Sequence, residues 1–206
     1  MERATSPELR LLPLAPVNPI RVTERSQLLA REVLRPGDLA MDGTAGKGRD
    51  TACLAMAVGP TGHVHAIDIQ PEAIAATGNL LNLANLSARV TLHTRSHADV
   101  RAVLPTEHRG RLGAAIFNLG YLPGGDTAIV TRPTSTTAAL RAAYAELRPG
   151  GRIVCVAYTG HPGGVEESDV VQAFGREREA AGDVVLRHGL VPNPGKPWIL
   201  SVTRPA

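Results

Sequence analysis

The stretch Asp42-Gly43-Thr44-Ala45-Gly46-Lys47-Gly48-Arg49-Asp50-Thr51 limits what this chain can fold into more than any other. The apolar run Leu39-Ala40-Met41 stops at a carboxylate, glycines follow at 43, 46 and 48, and a helical pattern begins. A strand, a tight turn and a helix start account for this order. In an α/β protein such a junction sets a ligand at the carboxyl end of a strand, beside the unpaired N–H groups and positive dipole end of a helix.

The rest of the chain repeats the alternation. A helical pattern headed by Thr23 closes at Pro36-Gly37. Strands are expected over residues 38–41, 62–68, 89–92, 112–117, 152–157, 183–188 and 198–202, with helices over 49–58, 71–83, 98–104, 135–147 and 166–181. Alternation of this kind means βαβ units and a mostly parallel sheet of seven strands with helices on both faces. The last two strands have no good helix between them, which predicts a hairpin whose final strand inserts antiparallel. Leu34-Arg35-Pro36-Gly37 recurs as Leu147-Arg148-Pro149-Gly150 and reads as a shared helix-to-strand turn. The loop 118–133 is long and rich in Gly and Pro, and loops of that length in compact domains are usually functional. Residues 1–20 carry four prolines and read as an extended arm, leaving 21–206 as one domain.

Composition sets outer limits. With 43% apolar and 20% charged residues, the 206-residue chain has the balance of an ordinary globular protein. No apolar run approaches the roughly 18–20 residues of a membrane span, and the first twenty residues lack the pattern of a secretion signal. A cytoplasmic protein without membrane contact is the expectation. The net charge of +3 allows an anionic partner, but the basic residues are scattered and a solvated basic surface explains them equally well. Cys53 and Cys155 lack metal spacing and read as small buried hydrophobes, and His93 and His97 are split between a strand end and a loop. No metal site is expected.

Around Gly46-Lys47 a phosphate-binding Walker loop fails at both ends, and a Gly-x-Gly-x-x-Gly dinucleotide fingerprint fails on spacing. What remains is Asp-x-Thr-x-Gly-x-Gly, a turn that lets backbone approach a ligand lacking pyrophosphate. Asp68 closes the run Val64-His65-Ala66-Ile67 and offers two oxygens to a vicinal diol, or else caps the next helix. This pattern resembles the first motif of S-adenosylmethionine-dependent methyltransferases with a Rossmann-like fold, where the turn faces the amino-acid part of the cofactor and the acid holds the ribose. The resemblance implies a cofactor set of Asp42, Thr44, Gly46, Gly48, Asp50, Thr51, Asp68, Ile69 and Gln70. Ser96 and His97 stand where the fold meets adenine, Ser96 equally suiting a helix cap, and Asn118 faces the same crevice.

Strand four runs out into Phe117-Asn118-Leu119-Gly120-Tyr121-Leu122-Pro123-Gly124-Gly125-Asp126. Asn118 to Tyr121 has the outline of the Asn-Pro-Pro-Tyr segment of amino-directed methyltransferases, with Leu-Gly in place of Pro-Pro. Together with Thr131 and Tyr158-x-Gly160-His161-x-Gly163-Gly164-x-Glu166, these motifs resemble the bacterial “putative rRNA methylase” family (YtqB/MnmM-like) over about residues 24–204. Lys47 and Arg49 depart from that family's usual residues. The resemblance implies methyl transfer from S-adenosylmethionine to the exocyclic amine of 5-aminomethyl-2-thiouridine at the tRNA wobble position. Implied catalytic residues are Asn118, Tyr121, Asp126 and His161; implied substrate contacts are Leu119, Gly120, Tyr158 and Arg132, with Arg49 and Lys196 as phosphate candidates. The partner would be a tRNA anticodon loop, met by a homodimer. An rRNA or small-molecule amine or hydroxyl substrate stays open, as does a non-catalytic cofactor- or RNA-binding protein.

Overall fold

The computed structural model describes residues 21–122, 124, 129–189 and 195–206. The arm expected over residues 1–20 and the candidate Asp126 lie outside the described residues. In chain order the elements are α1 (Val22–Arg31), β1 (Leu39–Asp42), α2 (Arg49–Val58), β2 (His63–Asp68), α3 (Pro71–Leu83), β3 (Val90–Thr94), α4 (Val100–Val103), β4 (Leu112–Leu119), α5 (Pro133–Ala145), β5 (Leu147–Ala157), α6 (Gly164–Ala180), β6 (Val184–His188) and β7 (Trp198–Thr203).

One seven-stranded sheet has the order β3-β2-β1-β4-β5-β7-β6. The first five strands of that order pair parallel; β7 lies antiparallel between β5 and β6, the inserted final strand expected from the sequence. Strands β1 and β4, buried on both faces, read as continuous apolar runs because helices cover both sides. Leu29 of α1, Leu54 and Val58 of α2 and Leu81 of α3 pack on one face with Val64, Ile116 and Val154. Val100 of α4, Leu140 of α5 and Phe174 of α6 pack on the other with Met41, Phe117 and Trp198. Cys53 and Cys155 are both free and buried.

Three expectations are corrected. The helix expected over 98–104 is a 3-10 turn at His97–Asp99 followed by a single α turn, because Pro105 drives Leu104 to ψ 121° and out of helical geometry. The first helix ends at Arg31, ahead of Pro36-Gly37. Leu147-Arg148-Pro149-Gly150 is not a turn before β5 but its opening segment, irregular against β4. The shared chemistry is the glycine alone: Gly37 and Gly150 both have left-handed φ, 92° and 71°.

Under the β2–β3 edge sits a histidine cluster. His65, 2% exposed, has one ring nitrogen 3.1 Å from His93 Nε2 and the other 2.8 Å from His108 Nδ1, with His63 packed edge-on against it. No helix among the described residues is long and apolar enough to cross a membrane.

Candidate functional site

The carboxyl ends of β1, β2 and β4 open on a cavity of about 330 Å³. Its floor is the glycine turn. Asp42 is fully buried below it, with Oδ2 accepting the Thr51 hydroxyl at 2.6 Å and Oδ1 the Thr44 N–H at 3.1 Å. Burial, then the charge of Asp50, pushes the Asp42 carboxyl up to about 7. Asp42 and Thr51 therefore brace the turn from beneath and do not line the cavity. Gly48 starts α2 at φ 80°, where a Cβ would meet the Thr77 backbone at 2.9 Å, so the turn and α3 touch through a missing side chain.

Asp68 ends β2 at the cavity wall, with each carboxylate oxygen on a backbone N–H. One oxygen accepts the Gln70 N–H at 3.0 Å, at the start of α3, and the other accepts the Gly46 N–H at 2.9 Å, tying the turn to β2. Thr44, Gly46, Ile69 and Gln70 line the same wall. Opposite, Ser96 Oγ accepts the Ala98 N–H at 3.2 Å and so caps the 3-10 turn. His97 Nε2 is buried without a partner among the described residues, and burial holds the ring below its ordinary pKa.

β4 carries the second half of the site. The Asn118 N–H donates to Thr44 Oγ1 at 2.7 Å, and its Nδ2 donates to Asp50 Oδ2 at 2.6 Å. The other Asp50 oxygen accepts from Gln27 Nε2 of α1, also at 2.6 Å. Asn118 Oδ1 has no partner among the described residues, although Asn118 lines the cavity. Leu119 turns its side chain into the core and is not among the residues lining the cavity. Gly120, at φ 151°, donates its N–H to Thr131 Oγ1 at 2.8 Å and accepts the Thr131 N–H at 2.9 Å. Tyr121 bridges to Val130 and is 45% exposed at the mouth.

A buried carboxylate holds this returning loop. Glu167, 1% exposed, accepts the Thr131 hydroxyl at 2.6 Å on one oxygen and the Thr136 hydroxyl at 2.5 Å on the other. His161 stands behind Gly120 and Tyr121: its ring lies edge-on to Tyr121, and its Nε2 would be 3.5 Å from a Cβ at 120. Its Nδ1 is 3.0 Å from the Pro162 carbonyl, which accepts from an N–H, and its Nε2 is buried without a partner among the described residues.

Of the expected residues, Thr44, Gly46, Asp68, Ile69, Gln70, Ser96, His97, Asn118, Gly120, Tyr121 and Arg132 line one cavity. Tyr158 is half-buried and outside the lining, and burial and the Asp50 charge raise its phenol. Arg49 and Lys196 are exposed and outside the lining. Gln27 and Glu167 were not anticipated. For Glu167 a signal existed: with Val171 and Phe174 it forms an i, i+4, i+7 buried stripe, an acid on an apolar helix face. For Gln27 no local pattern exists.

Comparison with known proteins bears on this geometry. The family model described as “Putative rRNA methylase” matches residues 64–204, more than half of the chain. The chain belongs to this family. A chloroplastic tRNA (mnm(5)s(2)U34)-methyltransferase of Arabidopsis thaliana is a 44% identical member-like relative over 188 residues, covering 87% of this chain and 68% of its own. A “putative rRNA-methylase” structure from Clostridium thermocellum superposes with TM-score 0.83 at 34% identity, over 91% of this chain and 99% of that one. A “putative methyltransferase” of Streptococcus mutans, solved in complex with SAH, gives TM-score 0.77 at 28% identity, over 89% and 98%. The family's matched segment runs from Val64 within β2 through β7, and so includes both Asp68 and Asn118.

Proposed function

We propose that the chain methylates the exocyclic amine of 5-aminomethyl-2-thiouridine at the wobble position of tRNA, using S-adenosylmethionine. The observation that carries the reading is Asn118 Oδ1, an acceptor left unpartnered at the cavity wall while its amide nitrogen is tied to Asp50. The Arabidopsis relative's tRNA methyltransferase name supports the substrate class.

The residues present fit the cofactor. Asp68 retains lone pairs beyond its two backbone bonds, enough for a ribose diol, and the cavity volume falls in the range of small-molecule sites. His97 and Ser96 form the base-facing wall, and the Gly46 turn admits close backbone approach. Bound there, S-adenosylmethionine supplies an electrophilic methyl group on a positively charged sulfur.

This chain's residues act on the amine. Its lone pair must be free, so the ammonium form first loses a proton. Asn118 Oδ1 accepts an amine N–H and turns the lone pair toward the methyl, while Tyr121 packs on the aminomethyl arm. Asp126, close after the Asn118–Tyr121 segment, is the first candidate for proton acceptor, with His161 and Tyr158 second. Gly120 borders the amine, with Leu119 and Tyr158 as further substrate candidates behind the lining, and Arg132 meets phosphate, with Arg49 and Lys196 outside the lining. Anticodon-loop bases are single-stranded and can be splayed into such a pocket.

The same reading makes residues 21–206 one catalytic domain acting in the cytoplasm. It also assigns a homodimer, whose second copy covers edge strand β6, where Val184 and Leu186 are exposed. Sedimentation at twice the 21.7 kDa chain mass checks that assignment. The substrate is tested by nucleoside mass spectrometry of tRNA from a strain lacking the gene. Accumulated 5-aminomethyl-2-thiouridine is expected. Unchanged tRNA with a missing methyl group in rRNA would move the activity to rRNA, as the family description suggests.

A further inference from the structure

We infer that Asp50 and Gln27 are positioning residues that decide which end of the Asn118 amide faces the substrate. The inference rests on the amine-methylation reading. A primary amide has a donor end and an acceptor end of nearly equal size, and a half-turn of its last torsion exchanges them. The exchange matters chemically. An acceptor facing the amine takes an N–H and leaves the nitrogen lone pair free to attack. A donor facing it would engage that lone pair and quench the nucleophile.

The structure resolves the choice with a carboxylate. Asp50 Oδ2 lies 2.6 Å from Asn118 Nδ2, and a carboxylate only accepts, so it admits the NH₂ end alone. Gln27 Nε2, 2.6 Å from Oδ1, holds the second oxygen and keeps the carboxylate from rotating away. Asp50 is 8% exposed and sits in the first turn of α2, where the helix dipole favours negative charge and charge-assisted bonds are strong. Thr44 Oγ1 fixes the Asn118 backbone at 2.7 Å. With its peptide and its amide nitrogen both held, Asn118 has only Oδ1 to offer. Asp50, expected from the sequence to contact the cofactor, has both oxygens on side chains and acts through Asn118.

The test exchanges the two groups. In Asp50→Asn the amide at 50 donates to Asn118 Oδ1 as readily as it accepts, so kcat on hypomodified tRNA falls on the order of 100-fold. SAH affinity and KM for tRNA stay within about twofold, since neither ligand touches Asp50. Asn118→Asp alone sets two carboxylates together and abolishes turnover. The double variant Asp50→Asn/Asn118→Asp rebuilds the pair in reverse, one oxygen at 118 again facing the site, and recovers to within about tenfold of wild type. Parallel loss of SAH affinity and turnover in Asp50→Asn, or a double variant no better than Asn118→Asp, would overturn the inference. Should wild type leave the tRNA unmethylated, the substrate reading fails and the positioning claim is read by NMR. The Asn118 side-chain amide protons of ¹⁵N-labelled protein should exchange slowly in wild type and rapidly in Asp50→Asn, and equal exchange rates would refute the positioning role.

Discussion

Thr44 and Asn118 are joined by a 2.7 Å hydrogen bond that links the glycine turn after β1 to the end of β4. The two stretches, 74 positions apart at these residues, meet in this part-buried contact and again where Asn118 Nδ2 donates to Asp50. Thr44→Val removes the acceptor and strands the Asn118 N–H. Stability should fall by about 1–3 kcal/mol in urea titration, with reduced turnover, and Thr44→Ser should restore both. Unchanged stability in Thr44→Val would show that the contact does not couple the two loops.

Asp68 is expected to govern cofactor affinity. Asp68→Ala loses both the diol acceptor and the anchor for the Gly46 N–H. Calorimetry should give SAH binding weakened on the order of 10–100-fold, with the circular dichroism spectrum retained. Wild-type affinity would remove Asp68 from the ribose.

Glu167 supports the substrate loop from below. Glu167→Ala leaves the part-buried Thr131 and the buried Thr136 hydroxyls without their acceptor and should cost about 2–4 kcal/mol of stability. KM for tRNA should rise as the 120–131 contact loosens. A Glu167→Ala protein as stable as wild type would mean that the hydroxyls find other partners.

Acid should unfold the protein through the histidine cluster. Burial, reinforced by His63, His93 and His108, lowers the His65 pKa to about 3 from an ordinary 6.5. The unfolded chain thus binds more protons than the native state between those values, so stability is present above about pH 6.5 and is lost as pH falls toward 3. His65→Gln keeps a hydrogen-bonding side chain that does not titrate. Its stability measured from pH 4 to 6.5 should decline less steeply than wild type, and equal slopes would place the acid sensitivity elsewhere.

Much of the site was legible because its parts are local. Asp42 to Thr51 and Asn118 to Tyr121 are contiguous segments whose strand-turn chemistry shows in residue order, and Asp68 closes an apolar run. The α2 and α3 bounds follow from Gly48 and from Pro71 at the first helical position. The helix at 98–104 was overdrawn because the steric effect of Pro105 on Leu104 outweighs apolar periodicity over so short a segment. Gln27 was invisible because its meaning comes from Asp50, 23 positions away on another helix; the buried stripe marked Glu167 as unusual, but not its partners, Thr131 on a loop 36 positions earlier and Thr136 in α5, 31 earlier. Such side-chain pairs are set by tertiary packing, which no local pattern encodes.

On the proposed reading, the amine held at Asn118 Oδ1 belongs to a tRNA wobble base. The direct measurement incubates purified protein and S-adenosylmethionine with two anticodon stem-loops, one carrying 5-aminomethyl-2-thiouridine and one carrying unmodified uridine, followed by nucleoside mass spectrometry. A single methyl gained on the aminomethyl nitrogen of the first, and none on the second, is the predicted result. No methyl on the first stem-loop from a protein that binds SAH would contradict it.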